Sequence, residues 1–374
     1  MIAANPATGG PLVSVIVPAR NEEAGLGACL GSLVSQTGVA IEIIVVDDGS
    51  TDRTHEIAKS FSSIRVITPD PLPQNWTGKN NAVASGAKVA RGQWLLFTDA
   101  DTVHLLGSLA RSLAEAKKNK VSLLSYSPEQ EVHGFWENAV MPVIFAELAS
   151  TYKPSDVSNP KSPAAAANGQ YLLITREAYD IVGGHAAVAA SLLEDVALAR
   201  NVKATGRKLF FRFGGDAVRT RMYRSFFQLR EGWTKNLALL FPGPARLAIL
   251  RLLEFLLILG SFGGAIFEII QHRSRAAIAT SILCVVLFDL FQGRIKKAHF
   301  PFQANAIAIF GLPLFAYLLW RSRVFYKQGK VQWKGRTYAG SAKNHIGTAT
   351  HIPTNAGSAV QAECNETAPH HISI

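Results

Sequence analysis

Residues 12–17 and 41–46 are β-branched apolar runs of strand length, and residues 22–34 between them carry apolar positions at helical spacing. That order predicts a β-α-β unit. The alternation continues through a strand at 64–68, a helix at 81–90 and a strand at 94–98 that runs into Asp99. Strands separated by helices predict an α/β domain with a mainly parallel sheet and its ligand site at the carboxyl ends of the strands.

Past about Pro242 the pattern changes. From 252 to 267 the only charge is Glu254, from 276 to 293 the only one is Asp289, and from 298 to 320 there is no Lys, Arg, Asp or Glu. At ~1.5 Å per residue the last stretch spans a hydrocarbon core of ~30 Å, and the other two approach the ~18 to 20 residues that crossing needs. Two or three membrane helices are expected. The densest basic cluster, Arg321, Arg323, Lys327 and Lys330, follows the last stretch and assigns that end to the cytoplasm. Residues 1–10 are small and polar, without the pattern of a signal peptide or anchor, which keeps the first domain cytoplasmic. A cytoplasmic start and end require an even number of crossings, which follows if the first stretch, with Arg251 and Glu254, lies in the interface. The expected layout is a flexible start at 1–10, an α/β domain at 11–241, membrane helices at 242–326, a basic juxtamembrane segment at 327–340 and a disordered tail at 341–374.

Composition sharpens this picture. Of 374 residues 48% are hydrophobic and 17% charged, against roughly 25% charged in soluble domains. The net charge of +11 attracts phosphates. Because the bases gather around the apolar stretches, a membrane surface is the expected partner and nucleic acid is not. Cys29, Cys284 and Cys364 have no spacing that suggests a zinc site or a disulfide framework.

Four segments carry candidate chemistry. Leu95-Leu96-Phe97-Thr98-Asp99-Ala100-Asp101 is a strand running into two carboxylates, which at a sheet edge could bridge Mg²⁺ or Mn²⁺ to a diphosphate. Asp47-Asp48-Gly49-Ser50 ends another strand, where a carboxylate can accept hydrogen bonds from a nucleoside, and Asp52 reads as a helix cap. Pro18-Ala19-Arg20-Asn21-Glu22 follows the first strand, and Lys79 precedes a helix, a suitable position for phosphate. Glu194 and Asp195 open a helical pattern; either could be a base on an acceptor hydroxyl, and both also suit an acidic helix start.

In their order and spacing these segments resemble glycosyltransferase family 2, whose enzymes have the GT-A fold. Gly183-Gly184-His185, Arg221-Met222-Tyr223, the 228–235 segment with Gln228, Arg230 and Trp233, and Trp333-Lys334-Gly335-Arg336-Thr337-Tyr338 resemble the carotenoid branch, the diaponeurosporenoate glycosyltransferases, with hopanoid-associated enzymes close behind. The resemblance implies a GT-A nucleotide-diphospho-sugar transferase followed by C-terminal membrane helices. It implies donor binding by Pro18, Arg20, Glu22, Asp47, Asp48, Lys79 and Asp99, metal at Asp99 and Asp101, and Asp195 as base with an inverting outcome. His185, Arg221, Tyr223, Gln228, Arg230 and Trp233 are the expected acceptor-side residues, although His185 in a glycine turn also suits a purely local role. The Gln228-to-Trp233 spacing departs from the Gln-x-x-Arg-Trp of processive relatives. The expected activity is hexose transfer from a nucleotide diphosphate sugar to a membrane lipid such as a carotenoid acid or hopanoid. A synthase for a soluble or polymeric glycan and an inactive binding protein are the alternatives.

Overall fold

The computed structural model describes residues 12–337; the expectations for residues 1–10 and 341–374 lie outside the described residues. In chain order the strands are β1 (Val13–Ala19), β2 (Ile41–Asp47), β3 (Ile64–Ile67), β4 (Trp94–Phe97), β5 (Thr102–His104), β6 (Leu123–Ser127), β7 (Glu129–Gln130), β8 (Leu172–Thr175), β9 (Leu209–Phe213), β10 (Val218–Thr220), β11 (Gln332–Trp333) and β12 (Arg336–Thr337). The helices are α1 (Leu26–Val34), α2 (Thr54–Lys59), α3 (Gly78–Val89), α4 (Ser108–Asn119), α5 (Gly134–Thr151), α6 (Pro154–Ser158), α7 (Arg176–Ile181), α8 (Glu194–Ala204), α9 (Phe226–Leu240), α10 (Pro244–Ile270), α11 (Ser274–Ile295), α12 (Phe302–Ile307) and α13 (Gly311–Lys327).

The main sheet has the order β3-β2-β1-β4-β8-β6-β9. It is mainly parallel, with β8 antiparallel to both neighbours. Alternate residues of each strand point to opposite faces. Val15, Val17, Ile43, Val45 and Leu96 pack with α1 and α4, while Ile16, Ile44, Val46, Leu95 and Phe97 pack with α3 and α8. Burial on both faces explains why β1 and β2 are near-continuous apolar runs. Gly86 lets α3 settle on the sheet, because a Cβ there would lie 2.6 Å from Ile16 and 2.9 Å from Val46.

The first helix starts at Leu26, four residues later than the apolar spacing suggests. The amides of Glu22 and Glu23 donate instead to Thr54 Oγ1 and Asp52 Oδ2, at 2.7 and 3.2 Å, so this stretch is a turn stitched to the start of α2 and the loop before it.

Among the described residues, three helical segments are long and apolar enough to cross a membrane: Pro244–Ile270, Ser274–Ala298 and Phe302–Lys327. The third is broken by a 3₁₀ turn at Ala308–Phe310. It is also the best covered, with 44% of its most apolar window buried against 17% and 6% for the others. A third core joins Val140, Ile144, Trp233 and Leu237 of α5 and α9 to Phe291, Leu312, Phe315 and Leu319 of the apolar helices. Gly311 abuts the backbone of Ala139. After α13 the chain returns to the α/β domain, where Lys334 and Arg336 of the β11–β12 hairpin reach Glu22 and Asp48.

Candidate functional site

The ends of β1 and β4, the amino termini of α3 and α8, and faces of α5 and α9 surround one cavity of about 710 Å³. Thr77 Oγ1 caps α3 by accepting from the Asn80 amide at 3.1 Å, which sets Lys79 in the first turn. Asn80 Nδ2 then donates to the carbonyls of Val188, Ala189 and Ser191, each at 2.9 Å, and ties the loop before α8 to α3. Lys79 Nζ consequently lies 2.8 Å from both Asp99 Oδ1 and Glu194 Oε1. Asp195 accepts from the Gly169 and Val196 amides, both at 2.8 Å.

These contacts divide the roles of the acids. Burial works to raise the Glu194 carboxyl, but Lys79 outweighs it and holds the group below its ordinary range. Burial works against the Lys79 ammonium, yet Asp99 and Glu194 hold its proton well above the usual lysine value. Asp195 is pushed up to about 6 by burial and by Glu194 beside it. Asp101 is pushed up to about 7 by burial and by the carboxylates of Asp99 and Glu22.

Asp101 Oδ1 is buried and has no hydrogen-bond partner among the described residues. Such an atom costs free energy unless a hydrogen-bond donor or a cation meets it. No cluster of three or more His, Cys, Asp or Glu suited to a metal occurs among the described residues. Mg²⁺ commonly takes only one or two carboxylates, with water and substrate phosphates completing its shell. Asp99 and Asp101 therefore fit a divalent cation that arrives with a phosphorylated ligand. The strand end that carries them is pinned: Thr98 Oγ1 donates to the Gln170 carbonyl at 2.8 Å and Thr102 Oγ1 to that of Asp99 at 2.7 Å.

Pro18, Arg20, Glu22 and Asp48 also line the cavity. Arg20 Nη1 donates to the Asp48 carbonyl at 2.6 Å. Asp47, expected on the donor side, is turned away: its Oδ1 accepts from the Ser50 amide at 3.0 Å and its Oδ2 meets His55 Nδ1 at 2.9 Å. It fixes the turn that presents Asp48. Asp52, expected to cap α2, lies one residue before the N-cap position, which Arg53 occupies; its Oδ1 accepts from the Thr54 amide at 3.0 Å. The sequence reading missed Lys334 and Arg336. Arg336 grips Asp48 with both terminal nitrogens, and Lys334 holds Glu22 and the Arg20 carbonyl. Their motif was visible, but its basic residues were assigned to the juxtamembrane surface.

Of the six acceptor-side expectations, Tyr223 and Trp233 line the cavity. Arg221 pairs with Glu137 at 3.7 Å, Gln228 Oε1 accepts from the Arg224 amide at 2.8 Å, and Arg230 stacks on Phe227. His185 lies behind Lys79 and Glu194, bonded to Tyr179 at 2.9 Å and edge-on to Phe97 at 4.8 Å; burial lowers it to about 4, so it is a neutral core residue. The apolar wall comes instead from Phe145, Leu148 and Tyr152 of α5, with Phe213 and His299 stacked at its edge, 4.3 Å between ring centres. No chemical residue type marks these positions in the sequence.

Residues 14–180 match the model of the family described as Glycosyl transferase family 2. The chain is 27% identical over 340 residues to a 4,4'-diaponeurosporenoate glycosyltransferase of Staphylococcus aureus strain MRSA252, covering 87% of this chain and 88% of that one. It is 26% identical over 338 residues to the enzyme of the same name from strain USA300, with the same coverage. Among solved structures it is similar to a mannosyltransferase from Pyrobaculum calidifontis in complex with GDP-Man and Mn²⁺, at 17% identity and a TM-score of 0.48 over 87% of this chain and 89% of that one.

Proposed function

We propose that the chain, whose residues 14–180 match the family 2 glycosyltransferase model and which is 27% identical to a carotenoid glycosyltransferase over 87% of its length, is a GT-A glycosyltransferase that transfers a hexose from a nucleotide diphosphate sugar, a UDP-sugar first among donors, to a membrane lipid with inversion. A carotenoid acid, a hopanoid or another terpenoid is the proposed acceptor class. The observation that carries this is the single cavity, which runs from Arg20, Asp48, Asp99 and Asp101 past Lys79, Glu194 and Asp195 to an aromatic and aliphatic wall. A water-borne anion suits one end and an apolar molecule the other.

Asp99 and Asp101 would hold Mg²⁺ or Mn²⁺, which supplies charge stabilisation to the departing diphosphate. Lys79 supports Asp99 and keeps Glu194 ionised, which leaves Asp195 as the acid available to take a proton. A group titrating at about 6 is suited to that near neutral pH. The acceptor oxygen attacks the anomeric carbon opposite the diphosphate, that carbon's bond to the phosphate oxygen breaks, and an alcohol acceptor's proton passes to Asp195.

The membrane arrangement follows from the hairpin that returns to Glu22 and Asp48. A chain that leaves and rejoins the same domain crosses a bilayer an even number of times. The sparse covering of α10 and α11 supports these two as the crossing pair, with α12 and α13 held against α5 and α9 at the interface. The interfacial role expected for the first stretch thus passes to the third. The proposed location is the cell membrane with the catalytic domain in the cytoplasm.

The test is the anomeric configuration of the product formed by the purified full-length protein from a UDP-α-hexose, read by NMR, with and without a chelator. A β-linked lipid formed only with divalent metal is expected; an α-linked product or chelator-resistant transfer overturns the mechanism.

A further inference from the structure

We propose that Lys235 is the acceptor-binding cation of this site, receiving the carboxylate of an acidic lipid and aligning it with the anomeric carbon. The proposal rests on the lipid-transfer reading above and assigns a residue that decides between acidic and hydroxylated acceptors.

Of the cavity's other cations Lys297 is exposed to solvent, and the remaining four are already engaged. Lys79 is held by Asp99 and Glu194, Arg20 by the Asp48 carbonyl, Lys334 by Glu22 and Arg336 by Asp48. Lys235 differs: among the described residues its ammonium meets only the face of Trp333, 5.0 Å from the ring centre, and forms no ion pair. It lies on α9 two residues past Trp233, on the cavity wall. Its backbone is fixed from α13, since Tyr326 Oη donates to the Lys235 carbonyl at 2.6 Å and Ser322 Oγ to the Thr234 carbonyl at 2.6 Å. Burial draws its proton affinity below that of an ordinary lysine. An arriving anion would relieve that cost.

Electrostatics favours this use. Glu22, Asp48, Asp99, Asp101, Glu194 and Asp195 all line the cavity and repel an incoming carboxylate. A cation held near Glu194 and Asp195 offsets this repulsion where the acceptor must sit, whereas an alcohol needs a base and gains little from a lysine. With an acidic acceptor the step needs no proton transfer, because a carboxylic acid with a reference pKa of about 4 is already ionised. Its oxygen forms the bond to the anomeric carbon as a glycosyl ester, and the nucleoside diphosphate departs with the electron pair of the broken bond.

The experiment uses full-length protein in detergent with UDP-glucose and two matched polyene probes, all-trans-retinoic acid and all-trans-retinol, for wild type, Lys235→Met and Lys235→Arg. UDP binding by each variant checks that the site is folded, and Lys235→Gln supplies the same comparison if Lys235→Met fails that check. Loss of a charge-assisted hydrogen bond corresponds to roughly 10- to 100-fold. The acid-to-alcohol ratio of kcat/KM is therefore expected to fall by about tenfold or more in Lys235→Met, with the KM for UDP-glucose unchanged and most of the ratio recovered in Lys235→Arg. An unchanged ratio, or wild-type transfer to retinol alone, overturns the role of Lys235 and leaves lipid transfer standing. No transfer by wild type to either probe overturns both.

Discussion

Glu147 of α5 meets Arg251 Nε at 3.1 Å and Arg294 Nε at 3.4 Å, and both arginines also reach Glu254, at 2.7 and 2.8 Å. Two positive and two negative groups, none more than 20% exposed, thus bind the wall of the acceptor cavity to α10 and α11. Glu147→Gln leaves two guanidinium groups sharing one carboxylate. Breaking a buried ion pair by removing one partner costs ~3–5 kcal/mol. The Glu147 contacts place the value near the lower bound, because Oε1 and both Nε atoms are close in distance without forming aligned hydrogen bonds. With an unfolding entropy of ~2.1 cal/mol/K per residue, a loss of about 3 kcal/mol corresponds to a fall of roughly 4 °C in unfolding midpoint for a chain of this size. Glu147→Leu with Arg251→Leu removes one charge of each sign and keeps the Arg294–Glu254 pair, so it is expected to lose less than Glu147→Gln alone. Intrinsic tryptophan fluorescence during heating in detergent reads both. A midpoint within ~2 °C of wild type for Glu147→Gln, or a double variant less stable than the single, would refute the account of this junction.

With an alcohol acceptor, Asp195 must be ionised to accept the proton, so the rate should rise with pH up to about 6 and level off above it. A flat profile from pH 5 to 7 would contradict Asp195 as base. Gly311→Ala puts a Cβ 2.0 Å from the Ala139 carbonyl oxygen, an overpacking that costs ~1–3 kcal/mol; an unchanged unfolding midpoint would refute the close docking of α13 on α5. Arg336→Ala is expected to weaken UDP binding about tenfold by calorimetry, and tighter binding would make the hairpin an obstruction instead of a wall.

The parallel half of the sheet was legible because β1, β2 and β4 are buried on both faces, and only apolar, β-branched runs survive there. Residues 22–25 form a turn and not a helix because the Glu22 and Glu23 amides are claimed by Thr54 and Asp52, about 30 positions away, which no local period reports. Arg251 and Glu254 suggested an interfacial first stretch from their charge alone; the sequence does not reveal that Glu147 and Arg294 pair with them. Asp99, Asp101, Glu194, Asp195 and Lys79 stood out by residue type and converge in the structure. The acceptor wall did not, because Phe145, Leu148 and Tyr152 are ordinary apolar helix residues until tertiary packing turns α5 toward the site. Lys334 and Arg336 were visible as bases, yet only the hairpin's return across the domain makes them neighbours of Glu22 and Asp48.

In the proposed reaction a nucleotide sugar held at Asp99 and Asp101 gives its hexose to a lipid in the same cavity. The most direct measurement is transfer of radiolabelled hexose from UDP-glucose and a panel of other sugar nucleotides into extracted membrane lipid, with Mn²⁺, by wild type and by Asp101→Asn. Label in a lipid with wild type, lost in Asp101→Asn while that protein stays folded, is the predicted result. Equal labelling by the two proteins would contradict the metal site, and no labelled lipid from any donor would contradict the transfer itself.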